Sequence, residues 1–125
     1  AVPDNFLFVT GKDGSEEIKL TDWEYAGMQD PHLDVAMFII YAMYDRDSAE
    51  KLIDLYFSDG CDKATRLKIY CYIAVSGLVW SNWCEFKRHC GVEFGAYAQR
   101  QYDYAREYTK IFFKEYREAF GRDYV

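Results

Sequence analysis

The sequence predicts a mainly α fold with a short β-hairpin at its N-terminal end, and three observations carry that prediction. Two short apolar or alternating runs, Phe6-Leu7-Phe8-Val9 and Ile18-Lys19-Leu20, flank the turn-rich segment Gly11-Lys12-Asp13-Gly14-Ser15. Beyond Asp34 the apolar residues fall near helical period, punctuated by capping residues and glycines. The 125 residues suffice for one domain, or part of one, with a modest hydrophobic core.

The elements follow in order. A lone hairpin is marginal in water, so this one must pack on the helices or pair with strands upstream. Asp34 to Tyr44 is almost wholly apolar and predicts a buried helix. Asp47 or Ser48 can cap a second helix running to about Phe57, with Gly60 as its stop. A third helix is expected over Lys63 to His89, ended by Gly91. A fourth is expected from about Glu93 to Phe120, ended by Gly121, with Tyr97, Tyr104, Tyr108, Ile111, Phe112 and Tyr116 on its apolar positions. The chain has no internal repeat, low-complexity tract or linker.

Composition narrows the function. Nineteen per cent of residues are aromatic, among them 12 Tyr, 9 Phe and 3 Trp, which is more than a small core needs. Some of these rings are therefore expected to line a surface, a pocket or a lobe interface. The formal charge is -6 with no Lys/Arg stripe, so neither nucleic acid nor anionic lipid is an expected partner. Cys61, Cys71, Cys84 and Cys90 show neither CxxC nor zinc-site spacing, which suits a reducing, cytosolic setting. Cys71 and Cys84 sit in apolar helical stretches, where a thiol is expected to serve as a small hydrophobe. The most apolar stretch, Ile69 to Trp80, is about half of the roughly 20 residues a membrane span needs.

Two positions are candidates for metal chemistry. Asn5 precedes the first strand and Asp22 follows the second, 17 residues on. In protein-kinase-like phosphotransferases the loop H-x-D-x-x-x-x-N is followed by a hairpin and then a metal-binding Asp. A hairpin returns the chain to its starting end, so an amide oxygen and a carboxylate can meet the same Mg²⁺, a hard ion that takes oxygen ligands. Spacing alone does not separate this from an ordinary turn Asn.

The wider sequence resembles the bacterial choline kinases, which belong with the aminoglycoside phosphotransferases in the protein-kinase-like group. Ala1-Val2-Pro3-Asp4-Asn5-Phe6 resembles the tail of their catalytic loop. Asp22-Trp23-Glu24-Tyr25-Ala26-Gly27-Met28-Gln29-Asp30-Pro31, then Asp34-Val35-Ala36, resembles their metal-binding segment. Trp80-Ser81-Asn82-Trp83 is similar to the paired-Trp stretch of choline and ethanolamine kinases, and Glu93-Phe94-Gly95-Ala96-Tyr97 with Arg100 and Tyr102 to their last helix. The resemblance implies the C-terminal lobe of an aminoglycoside-phosphotransferase-like kinase fold. Residues 1–24 would be the catalytic-loop tail and hairpin, and residues 34–125 the helical substrate-binding part.

The same resemblance implies roles. Asn5 and Asp22 would be the Mg²⁺ ligands for bound ATP. Asp34 would brace the catalytic loop, though a plain helix N-cap reads equally from its position. Tyr25, Trp80, Trp83 and Tyr97 would hold the quaternary ammonium of choline; Glu24 or another acid would have to compensate for the one departure from the pattern. Comparable kinases carry a Glu seven residues beyond the Asp34 position, where this chain has Tyr41, so a counter-charge is replaced by a ring. The general base would be an Asp directly before Ala1, so the chain is expected to be an inactive fragment of a cytoplasmic enzyme, open to self-association.

The residue types suit that chemistry. Trimethylammonium has no N–H to donate, so aromatic faces must hold it, at roughly 0.5–2 kcal/mol per ring. Trp80 and Trp83, at i and i+3 of the third helix, share a face and can form two walls of a cage. Related kinases acting on ethanolamine, aminoglycosides or other small alcohols would pair N–H and hydroxyl groups and favour acids over stacked Trp. A non-catalytic helical module that docks a partner helix is the alternative of a different class.

Overall fold

Both apolar runs form strands, and they pair with each other. In this computed structural model, which describes residues 2–23 and 26–121, β1 (Phe6–Thr10) and β2 (Glu16–Leu20) make a two-stranded antiparallel hairpin. The register sets Phe6 opposite Leu20 and Thr10 opposite Glu16. Asp13 shapes the turn by accepting hydrogen bonds from the Ser15 amide at 3.1 Å and hydroxyl at 2.7 Å. A 3-10 turn over Pro3–Asn5 leads into β1. The hairpin meets the helices at its base, where Phe6 lies edge-on to Phe38 at 5.7 Å. The rest of it stays in solvent, with Phe8 at mid-strand 81% exposed.

Four helices follow: α1 (His32–Tyr41), α2 (Arg46–Tyr56), α3 (Lys63–His89) and α4 (Ala96–Phe120). The span of α3 is the expected one, and the others differ at their ends for local reasons. The first begins at His32 because the Asp30 carboxylate accepts the His32 amide at 3.0 Å, and Met43 at φ 52° turns the chain away after it. Asp34 is therefore in the first turn and is not the N-cap, a position held by Pro31. The second is capped by Asp45, which accepts from the Ser48 amide at 2.9 Å, and not by Asp47 or Ser48. The last starts at Ala96 because Gly95, at φ 53° and ψ -133°, holds a conformation that favours glycine.

The core lies where α3 runs between α1 and α4. Val35, Ala36, Ile39 and Ile40 of α1 meet Leu67, Ile69, Tyr70 and Ile73 of α3, with Ile53 of α2 and Tyr104 and Tyr108 of α4 closing the cluster. Gly77 lets α3 and α4 approach, since a Cβ there would stand 2.7 Å from the Gln101 carbonyl oxygen and 2.9 Å from the Tyr104 Cβ. In return α4 caps α1. Gln101 Nε2 donates to the Ile40 carbonyl at 2.9 Å, and the Tyr104 hydroxyl and Arg100 guanidinium donate to the Tyr44 carbonyl. The Ile40 bond serves the last turn of α1, and the Tyr44 bonds hold the link that follows it. Arg46 and Lys63 clasp Glu115 at 2.9 and 2.6 Å, tying α2 and α3 to α4.

All four thiols are free. Cys84 is buried as expected, but Cys71 is exposed, on a face of α3 that the other helices leave uncovered. Among the described residues no helix is long and apolar enough to cross a membrane.

Candidate functional site

Asn5 and Asp22 lie at the same open end of the hairpin. The Phe6–Leu20 pair closes the ladder there, and the Asn5 carbonyl accepts from the Thr21 amide at 3.0 Å. The Thr21 hydroxyl approaches the same carbonyl at 3.3 Å. Asn5 thus sits beside Thr21 and one residue from Asp22. Asp22 is exposed and holds φ 61°, a left-handed conformation that Asp tolerates better than most residues. Backbone held in such a region gathers at functional sites. The two residues offer an amide and a carboxylate oxygen, which fits Mg²⁺, an ion that takes one or two protein carboxylates and fills its shell with phosphate and water. Among the described residues no group of three or more His, Cys, Asp or Glu could hold a metal.

The aromatic candidates come together one turn further along α1. Trp80 is packed against the core and Trp83 is 43% exposed. Their rings stand 6.3 Å apart with planes 21° from parallel. The two indoles therefore stack side by side as one wall of a site, and not as two opposed walls, because a trimethylammonium group cannot enter between parallel rings at that distance. Other elements supply the remaining rings. Tyr41, at the end of α1, is edge-on to Trp80 at 5.6 Å. Phe94, in the loop before α4, tilts against Trp83 at 5.3 Å and against Tyr97 at 6.4 Å. Three helices and one loop thus assemble a row of five rings.

Tyr97 is the best-enclosed hydroxyl of that row. Its oxygen is buried and meets no partner at full hydrogen-bond geometry among the described residues, with the Trp80 side chain the donor nearest to serving it. Burial, with Tyr41 next in effect, pushes its pKa well above the usual tyrosine value. The hydroxyl stays protonated and available as a donor at neutral pH. Sequence reading found Trp80, Trp83 and Tyr97 but missed Phe94 as part of the wall, since a loop residue carries no periodic signal. Glu24 and Tyr25 lie outside the described residues.

Asp30 does what the sequence reading gave to Asp34 as a cap. Its carboxylate accepts from the His32 amide, from the Lys68 ammonium at 2.7 Å and from the Tyr72 hydroxyl at 3.1 Å, and so pins the start of α1 to α3. The Lys68 hydrogen bond first, and then the His32 amide, hold its pKa down to about 2. Between the end of α3 and the start of α4 lies a cleft of about 340 Å³. It shares Phe94 with the aromatic row, and its polar lining includes Asn82, Glu85, Arg88, Glu93 and Tyr102. Glu85 is committed to Arg88 through contacts of 2.7 and 3.1 Å.

Comparison with known proteins gives one kind of match. The chain is similar to Protein LicA of Haemophilus influenzae strain Rd, 28% identical over 116 residues, covering 83% of this chain and 39% of that protein. A second Protein LicA from Haemophilus influenzae matches at the same identity and covers 31% of its own length. The chain thus spans roughly a third of the length of the curated relatives it matches. No family profile matches the chain, and no solved structure gives a significant match.

Proposed function

We propose that this chain carries the choline-binding aromatic surface and the magnesium half-site of an ATP-dependent phosphotransferase whose whole gene product phosphorylates choline. In that reaction the choline hydroxyl gives its proton to a carboxylate base, its oxygen bonds to the γ-phosphorus, the bond from that phosphorus to the β,γ-bridging oxygen breaks, and ADP leaves. Asn5 and Asp22 would hold Mg²⁺, which neutralises charge on the β- and γ-phosphates. The lobe assignment, a piece of an aminoglycoside-phosphotransferase-like kinase fold, belongs to the same proposal. The match to Protein LicA supports it, as does the order of the resembling segments along the chain.

The observation that carries the substrate class is the row Tyr41, Trp80, Trp83, Phe94 and Tyr97. Aromatic faces attract a cation that cannot donate a hydrogen bond, whereas an ammonium or aminoglycoside amine would need acceptors for its N–H groups. Tyr41, standing where related kinases carry an acid, adds a ring edge-on to Trp80 and keeps the surface aromatic.

The test is calorimetric titration of the chain with choline and, in parallel, with the neutral isostere 3,3-dimethylbutanol. Choline is expected to bind more tightly than the isostere, and Trp80→Ala to lose about five- to thirtyfold in choline affinity, equivalent to about 1–2 kcal/mol. Equal affinity for choline in Trp80→Ala and the unaltered chain would remove the aromatic surface from the account.

A further inference from the structure

The aromatic wall already has a cation on it. Lys87 lies one helical turn beyond Trp83, at i+4, and its ammonium stands 5.6 Å from the centroid of the Trp83 ring. That is within the roughly 6 Å over which a cation is attracted to an aromatic face. The nearest carboxylate along this helix is not available to Lys87. Glu85 is bound by both nitrogens of a forked Arg88 contact, and His89 lies 3.8 Å from it. Lys87 makes no ion pair among the described residues, so the Trp83 ring is the partner its charge has.

We infer that Lys87 is a tethered competitor for the cation-binding face of Trp83 and lowers the affinity of the wall for quaternary ammonium ligands. The inference rests on the choline reading above. A trimethylammonium group needs the same π density that Lys87 occupies. Trp80 and Phe94 also press on Trp83, at 6.3 and 5.3 Å, which limits the ring surface left for a second cation. An arriving cation must share the ring with a like charge. That repulsion weakens binding, and it acts on charge. A neutral ligand of the same shape feels no repulsion from Lys87. The arrangement therefore sets how strongly the wall favours a cation over its neutral isostere, with Lys87 reducing that preference.

Calorimetric titration of the unaltered chain, Lys87→Met and Lys87→Gln with choline and with 3,3-dimethylbutanol tests this. Circular dichroism checks that each variant is folded. Both variants are expected to bind choline about two- to fivefold more tightly, the equivalent of one exposed cation–π contact. Affinity for the neutral isostere should not change. Added salt screens the repulsion, so it should narrow the difference between Lys87→Met and the unaltered chain. Unchanged or weaker choline binding in both variants overturns the role of Lys87 while leaving the choline reading in place. An equal gain for choline and the isostere also overturns it, because Lys87 would then act as a steric lid. If neither the unaltered chain nor the variants bind choline, the functional reading fails and this inference falls with it.

Discussion

Asp30 shows how much one carboxylate fixes in this chain. It takes hydrogen bonds from His32, Lys68 and Tyr72 and so joins the start of α1 to the first half of α3. With Lys68 as the chief cause, its folded pKa falls to about 2 from an ordinary 3.8. A lowered folded pKa means that the contribution to stability is fully present above about pH 4 and is lost as pH falls toward 2. Glu115 acts in the same direction: burial raises its pKa, but hydrogen bonds from Lys63 and Arg46 outweigh that and leave it lowered. The urea midpoint of the chain is therefore expected to drop between pH 4 and pH 2. Asp30→Asn should lower the midpoint at neutral pH and flatten that acid drop, leaving the part due to Glu115. An unchanged pH profile in Asp30→Asn would show that the Lys68 contact carries no stability. None of this was legible in the sequence, where Asp34 looked the better cap because it opens the apolar run. Asp30 gains its partners only when α3 lies alongside, a contact across 38 residues.

At the scale of elements, the helices were legible and their termini were not. Apolar period and the stop glycines place α3 at Lys63–His89 as expected, because Asp62 caps it and Gly91 at φ 85° ends the run. By contrast, α1 runs from His32 to Tyr41, since its start depends on the Asp30 side chain and its end on carbonyl partners from α4. Burial was read well where a residue type settles it, as for Ile73 and Tyr104, and badly for Cys71, which suits either side of a helix. The α3–α4 contact supplies a sharper test. Ala is worth about 1 kcal/mol more than Gly in a helix interior, so Gly77→Ala would stabilise an isolated helix. Here the added Cβ meets backbone oxygen at 2.7 Å, and overpacking of about 1–3 kcal/mol is expected to outweigh that gain. Gly77→Ala should lower the urea midpoint at pH 7. A raised midpoint would mean that α3 and α4 can separate at no cost.

For the whole molecule, the chain brings two candidate sites to one scaffold. Phe38 of α1 meets the hairpin through Phe6, and Tyr41, one turn on, meets the wall through Trp80. The same short helix therefore positions the Asn5–Asp22 end of the hairpin and the aromatic row. The residues of both candidate sites were chosen by type, because Mg²⁺ would call for hard oxygen and a quaternary ammonium for rings. Their arrangement was not legible. Helical spacing places Trp80 and Trp83 on one face, but only packing against Tyr41 and Phe94 decides that their planes lie nearly parallel as a single wall. The most direct measurement of the proposed activity is phosphorus NMR of the whole gene product with ATP, Mg²⁺ and an equimolar mixture of choline, ethanolamine and an aminoglycoside. Phosphocholine is expected as the main product, and Asp22→Asn should slow its appearance by at least about a hundredfold, as loss of several kcal/mol of charge stabilisation requires. Phosphorylation of another acceptor in place of choline, or full activity in Asp22→Asn, would contradict the assignment.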